Sequence, residues 1–255
     1  MKNIFEFFFL KIFKIFGLVA ISNDSSSYDR FIWLKKNLIP SRENGKLLDI
    51  GCGNGWGLFL AGKLNYKVFG FSYSENDVNK ILKKAPIINK SKFEAVVADV
   101  RNLDKIYESH HFDVILNLEN IEHIINSKKL IKDISDKLTN GGLLYLTTPN
   151  LLSDKLIRDS VVKEFPVEDG SHVVRGYSFT RLKNLLNENN LHIIAKSYLT
   201  GPFSIFLINL DRICNFLYLR VFIFPLIIIA NLLDRIFFKN RENNLTLALV
   251  AEKIV

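Results

Sequence analysis

Two sets of residues in this chain have the types and spacing for chemistry. The first is the run from Leu47 to Gly57, LLDIGCGNGWG, in which apolar residues around one acid, Asp49, lead into Gly51, Gly53, Gly55 and Gly57. An apolar, helix-compatible segment, Leu58 to Ala61, follows. A buried strand, a glycine turn and a helix start let a nucleotide-like ligand meet a helix N-terminus. Glycine suits such a turn because a side chain would block the approach of the backbone and because some positions need positive φ. The second set is a pair of imidazoles, His123 and His172, side chains that exchange a proton near neutral pH. For either histidine, the plain alternative is a loop residue held by a structural hydrogen bond.

The elements that must position these residues alternate along the chain. Hydrophobic spacing predicts a helix over residues 28–38, stopped by Pro40, after a polar linker at 23–27 that ends in capping residues. Strands are predicted at 46–50, 67–71, 93–98, 112–117, 143–147, 192–198 and 244–250, with helices from the glycine turn to Leu64 and at 76–84, 130–138 and 178–186. Asn140 and Gly141 read as a left-handed stop to the helix at 130–138, residues 150–176 read as loop, and Leu245, Leu247 and Leu249 alternate with Thr246 and Ala248 in the last strand. Alternating strands and helices imply an α/β fold with a doubly wound, mostly parallel sheet. His123 then sits just past the fourth strand, at the edge where open sheets bind ligands, and His172 lies in the loop after the fifth.

Composition limits what surrounds this core. The 255 residues, 48% hydrophobic and 24% charged, suffice for one domain. Two cysteines, Cys52 and Cys214, argue against a disulfide framework and fit a reducing, cytoplasmic setting. The formal charge of +8 suits nucleic acid or an anionic membrane. Many basic residues adjoin apolar stretches near the two ends, which favours the inner face of a membrane over nucleic acid. Residues 1–22 read as an amphipathic, interfacial helix, with Ile4, Phe5, Phe8, Phe9, Ile12, Ile15 and Phe16 on one face. Residues 23–255 then form the main domain, with an apolar helical insertion at 203–238. Its longest uncharged run, 221–233, is shorter than the roughly 20 residues that cross a bilayer. Packing on the domain or in a homodimer is the alternative use of both apolar segments.

In order along the chain, these motifs resemble the class I S-adenosylmethionine-dependent methyltransferases. The resemblance implies a Rossmann-like sheet with an antiparallel last strand, and S-adenosyl-L-methionine as cofactor. Asp49, Gly51, Cys52, Gly53 and Gly55 are similar to the family's first motif, which holds the methionine and ribose parts. Asp99 and Val100 look like the adenine clamp, and Asn117 stands at the end of the fourth strand. One position departs from the pattern: Ser72 stands where the family usually has an acid bonding both ribose hydroxyls, so either affinity is lower or Glu75 reaches in. A dinucleotide-dependent oxidoreductase is the rival, but it would want a third glycine where Trp56 stands. The stretch Asn117-Leu118-Glu119-Asn120 lacks the N/D-P-P-aromatic motif of enzymes that methylate nucleic-acid bases.

Methyl transfer from a sulfonium is an in-line displacement, so holding the acceptor close and aligned is most of the catalysis. A hydroxyl acceptor must also lose a proton to a base, for which His123 is the first candidate and His172 the second, with Glu122 beside them. Glu119, Glu122 and His123 form E-x-x-E-H, which resembles the polyprenyl-hydroxybenzoate O-methyltransferases, where the trio is implicated in holding a divalent cation. The expected acceptor is an oxygen of a lipid-like, quinone-precursor or glycan-linked molecule at the membrane, with the insertion at 203–238 walling its pocket. The alternatives are a soluble small-molecule methyltransferase that dimerises through its apolar segments, and a non-catalytic scaffold that has kept the fold.

Overall fold

Seven strands, β1 (Lys46–Ile50), β2 (Lys67–Ser72), β3 (Phe93–Val97), β4 (Phe112–Leu118), β5 (Leu138–Pro149), β6 (Leu191–Leu199) and β7 (Thr246–Lys253), form one sheet in the order β3-β2-β1-β4-β5-β7-β6. The computed structural model describes residues 25–41, 45–87, 93–153, 168, 170–214 and 220–255. The predicted helix within residues 1–22 and most of the loop at 150–176 lie outside them. Strands β1 to β5 pair in parallel, and β7 runs antiparallel between β5 and β6.

Adjacent residues of a strand face opposite sides, and both sides of this sheet are covered. Leu48, Ile50, Phe69, Ile115 and Leu146 pack with α5 (Ser127–Lys137) and α6 (Phe179–Asn187) through Ile131, Ile134, Leu182 and Leu186. Leu47, Val68, Val114, Leu116 and Tyr145 pack on the other side with α1 (Ser25–Asn37), α2 (Trp56–Lys63) and α3 (Glu75–Lys84) through Trp33, Leu34, Leu58, Phe59 and Ile81. A short α4 (Leu103–Ile106) links β3 to β4.

Several predicted boundaries shift for physical reasons. α5 ends at Lys137 and Leu138 already pairs with Phe112, so Gly141 does not stop the helix. Its positive φ serves an irregularity inside β5, across which the pairing moves from Phe112–Leu138 to Val114–Leu143. The serines at 25–27 form the first turn of α1 and are buried, rather than ending a linker. In β7, Leu247 and Leu249 are buried in one core and Ala248 in the other, with Thr246 also buried, because both faces of the sheet are covered.

The apolar insertion is a helical pair, α7 (Pro202–Cys214) and α8 (Arg220–Phe237). Asp234 accepts the N–H groups of Phe203 and Ser204 at 3.0 and 2.9 Å, satisfying the first turn of α7. The pair packs on α1: Asn231 donates to Ser25 Oγ at 2.8 Å and Arg235 to Asp29 at 2.8 Å. α1 in turn meets the glycine turn through the edge-to-face pair Phe31–Trp56. The pair therefore stands one layer behind α1, and none of its described side chains lines the groove over the glycine turn, contrary to the expected pocket wall. No helix among the described residues is long and apolar enough to cross a membrane.

Candidate active site

The carboxyl ends of β1, β2 and β4 open onto one groove of about 490 Å³. Gly51 and Gly53 form its floor, Ser72, Tyr73 and Asp77 one wall, Asp99, Val100 and Arg101 the far end, and Glu119, Asn120 and His123 the opposite wall. The turn needs its glycines. Gly51 and Gly55 have φ of +68° and +80°, and a Cβ there would lie 2.8 Å from Asn120 Oδ1 and 2.7 Å from Ile81 Cγ1. Cys52 N–H donates to the Phe71 carbonyl at 3.1 Å, tying the turn to β2.

Asp49, Cys52, Gly55 and Asn117 do not line the groove; they support the turn from beneath. Burial raises the Asp49 carboxyl to about 8, and no described side chain pairs with it. Its Oδ2 would stand 2.7 Å from a Cβ at Gly57, so that glycine gives it room. Burial, then Asp49 and more weakly Asp77, raise the Cys52 thiol, which is inert at neutral pH. Both amide atoms of Asn117, Asn120 Nδ2 and Glu119 Oε1 are buried without a partner among the described residues. Buried polar atoms normally have partners, and Glu119 and Asn120 line the groove, so this side of it is suited to a polar ligand. The glycine approach, the unpaired Asp49 beneath it and the open amides fit the amine, carboxylate and ribose of S-adenosylmethionine.

At the adenine end, Asp99 accepts Arg101 N–H and Nε–H at 2.9 Å and also pairs with Nη2, which holds its carboxyl below the usual range. Arg101 Nη1 also reaches Glu168 Oε2 at 2.9 Å, and Glu168 Oε1 accepts Ile125 N–H at 2.7 Å. Arg101 and Glu168 were missed from sequence. Arg101 stands two residues past the acid, but Glu168 is brought there only by the fold. At the β2 end, Ser72 Oγ accepts Ser74 N–H at 3.1 Å. Glu75 is exposed and does not line the groove, whereas Asp77 does.

The acceptor end is built around the exit of β4. Glu122 is fully buried; its Oε2 accepts from Thr148 Oγ1 at 3.1 Å and its Oε1 has no described partner. Burial, and secondarily Glu119, push its carboxyl well above the usual range, disfavouring the charged form. The Glu122 backbone carbonyl accepts Val173 and Val174 N–H at 2.9 and 3.2 Å, which brings His172 to His123. Their rings meet edge to face with centroids 4.7 Å apart. His123 Nδ1 lies 3.0 Å from the Ser171 carbonyl. A carbonyl only accepts, so Nδ1 carries the proton and Nε2 keeps its lone pair. Burial, and then His123, lower the pKa of His172.

The predicted metal trio is not the cluster that the fold gathers. Glu119 turns to Arg30, with Oε2 at 3.6 Å from Nη1. Among the described residues, the potential ligand atoms that come together, within 4.8 Å of one another, belong to Glu122, His123 and His172.

Comparisons with known proteins agree with this geometry. Residues 28–196 match the family described as "Methyltransferase domain". The chain is 32% identical to the ubiquinone biosynthesis O-methyltransferase of Pelagibacter ubique (strain HTCC1062) over 48% of its own length and 52% of that protein. It is 28% identical to phosphoethanolamine N-methyltransferase 1 of Zea mays over 80% of its own length and 39% of the relative. The chain thus spans about half the length, or less, of these curated relatives. Among solved structures, geranyl diphosphate C-methyltransferase from Streptomyces coelicolor A3(2), in complex with Mg2+, geranyl diphosphate and S-adenosyl-L-homocysteine, superposes with a TM-score of 0.61 at 14% identity, over 88% of this chain and 77% of that one. A SAM-dependent methyltransferase from Archaeoglobus fulgidus gives 0.59 at 16% identity, over 88% and 93%. At such identities, the superpositions show the fold alone. With the family match over residues 28–196, the seven-stranded sheet and a groove suited to the cofactor, this chain belongs to the class I S-adenosylmethionine-dependent methyltransferases.

Proposed function

We propose that the chain methylates an oxygen of a lipid-like, quinone-precursor or glycan-linked acceptor at the inner face of a membrane. The observation that carries O-methylation is His123, which lines the groove with Nδ1 committed to the Ser171 carbonyl and Nε2 left as the acceptor of a proton. The cofactor, when bound, would supply a methyl carbon whose bond to the sulfonium sulfur breaks to leave a thioether, and the chain must align the acceptor and take its proton. As the acceptor oxygen forms its bond to the methyl carbon, its proton passes to His123 Nε2. The Ser171 carbonyl steadies the imidazolium through Nδ1–H. Glu122 anchors the 172–174 segment through its backbone carbonyl, and burial disfavours its charged form.

The membrane part of the proposal is supported by exposed Phe206, Leu226, Ile229, Leu232 and Ile236 on the helical pair and by the amphipathic pattern of residues 1–20. Labelled cofactor incubated with a host lipid and glycan extract, followed by mass spectrometry, tests the acceptor class; label on a nitrogen of a water-soluble product would overturn it. Flotation with anionic vesicles tests the membrane. A protein that stays at the bottom as a dimer favours the soluble alternative.

A divalent cation is a second reading, supported by the open Glu122 Oε1 and His172 Nδ1. One carboxylate and two imidazoles suit a borderline metal such as zinc or manganese better than magnesium. His123 Nε2 cannot be both ligand and base, so full activity after exhaustive chelation leaves the base alone.

A further inference from the structure

We infer that Asp77, from the first turn of α3, holds the ribose diol of the cofactor in place of the acid that β2 lacks. The inference rests on the cofactor assignment above and assigns a residue that lies outside the glycine motif. Four acids line the groove: Asp77, Asp99, Glu119 and Glu168. Two are closely held, and a third, Glu119, lies on the wall opposite Ser72. Asp99 is held by Arg101, and Glu168 by Arg101 and Ile125 N–H, while Glu119 meets Arg30 at 3.6 Å. The side chain of Asp77 meets Lys80 Nζ at 3.4 Å, on a half-exposed lysine, a weak contact that solvent screens. A carboxylate in this position remains able to accept two hydroxyls.

The placement of Asp77 is fixed from both sides. Its N–H bonds to Ser74 Oγ at 3.3 Å, which caps α3. α3 is seated on the glycine turn, where Ile81 fills the space that a Cβ of Gly55 would need, with Val78 buried beside it. Asp77 lines the groove together with Gly51, Gly53, Ser72 and Tyr73. Ser72 occupies the usual place but spends an Oγ lone pair on Ser74 N–H, leaving one hydroxyl proton to donate. Two ribose hydroxyls need an acceptor pair. Ser72 alone does not provide one, and a carboxylate one turn into α3 does.

Calorimetry with S-adenosylhomocysteine and with its 2′,3′-dideoxy analogue separates the possibilities. The expected result is that Asp77→Ala and Asp77→Asn each weaken S-adenosylhomocysteine about tenfold or more, the scale of a lost pair of charged hydrogen bonds. Both variants should bind the dideoxy analogue as the wild type does, and Glu75→Ala should bind both ligands unchanged. Wild-type affinity for S-adenosylhomocysteine in both Asp77 variants overturns the inference and leaves the family assignment standing. Equal losses for the two ligands overturn it as well, because Asp77 would then only shape the groove. A larger loss in Glu75→Ala than in Asp77→Ala moves the role to Glu75. A wild type that binds neither ligand fails the cofactor reading itself, and this inference with it.

Discussion

The two ends of the groove are built by opposite means. The floor of the cofactor end is made by neighbours in sequence: Gly51 to Gly55 turn between β1 and α2, and tight backbone geometry shapes it. The acceptor end is assembled by contacts across long stretches of chain: Ser171 orients His123, Val173 and Val174 hold the Glu122 backbone, and Thr148 holds its side chain. A change at the first end should therefore act through shape and stability, and a change at the second through proton transfer.

The largest effect should come at the acceptor end. His123→Ala removes the proposed base and should lower kcat about 10²- to 10⁴-fold, with S-adenosylhomocysteine affinity close to wild type by calorimetry. A matching loss of cofactor affinity would show that the two ends are not separable. At the cofactor end, Gly55→Val puts a β-branched side chain at φ +80° and into Ile81. The left-handed conformation costs about 1–2 kcal/mol and the overpacking about 1–3 kcal/mol more. Chemical denaturation should show their sum, and a variant as stable as the wild type would refute the steric account of the turn.

The same contrast explains what could be read from the sequence. Asp49 to Gly55 declares its turn because every residue that it needs lies within a few positions. The alternation of strands and helices revealed the sheet in the same way, as periodicity is local. Arg101–Glu168 and Glu122–His172 could not be read, since each pair joins segments that only the folded sheet brings together. The α5 boundary failed for a related reason: Gly141 carries the local mark of a helix stop, but pairing of Leu138 with Phe112 ends the helix first.

Beneath the turn, Asp49 gives a pH signature. Its folded carboxyl lies near 8, above the unfolded value of about 3.9. The unfolded chain therefore holds fewer protons between these values, and stability falls as pH rises. Without cofactor, the loss should approach about 1.4 kcal/mol per pH unit from Asp49 at the steepest, and Glu122, raised in the same direction, adds to it. Asp49→Asn should flatten the slope between pH 5 and about 8. Cofactor binding near pH 7, if its amine lies by Asp49, should release a proton in the wild type that this variant does not release. Calorimetry in buffers of different ionisation enthalpy measures that difference, and equal proton release in the two proteins would place the amine elsewhere.

The smallest effect should come at the junction of the two ends, where Arg30 of α1 meets Glu119 at 3.6 Å. Both side chains are partly exposed, so the pair contributes at most about 1 kcal/mol to stability. Its larger consequence is orientation. Glu119 sits at φ +51° with its carboxylate on Arg30, and it is not one of the gathered residues Glu122, His123 and His172. Arg30→Gln should leave stability within about 1 kcal/mol of the wild type and free Glu119 to turn back toward the buried pair. If the Glu122, His123 and His172 cluster takes a divalent cation, the freed carboxylate adds an oxygen ligand, and the variant should bind manganese more tightly than the wild type in calorimetry. Unchanged manganese affinity together with unchanged kcat would mean that Arg30 only fastens α1 to the sheet, and that the two ends of the groove meet without influencing each other.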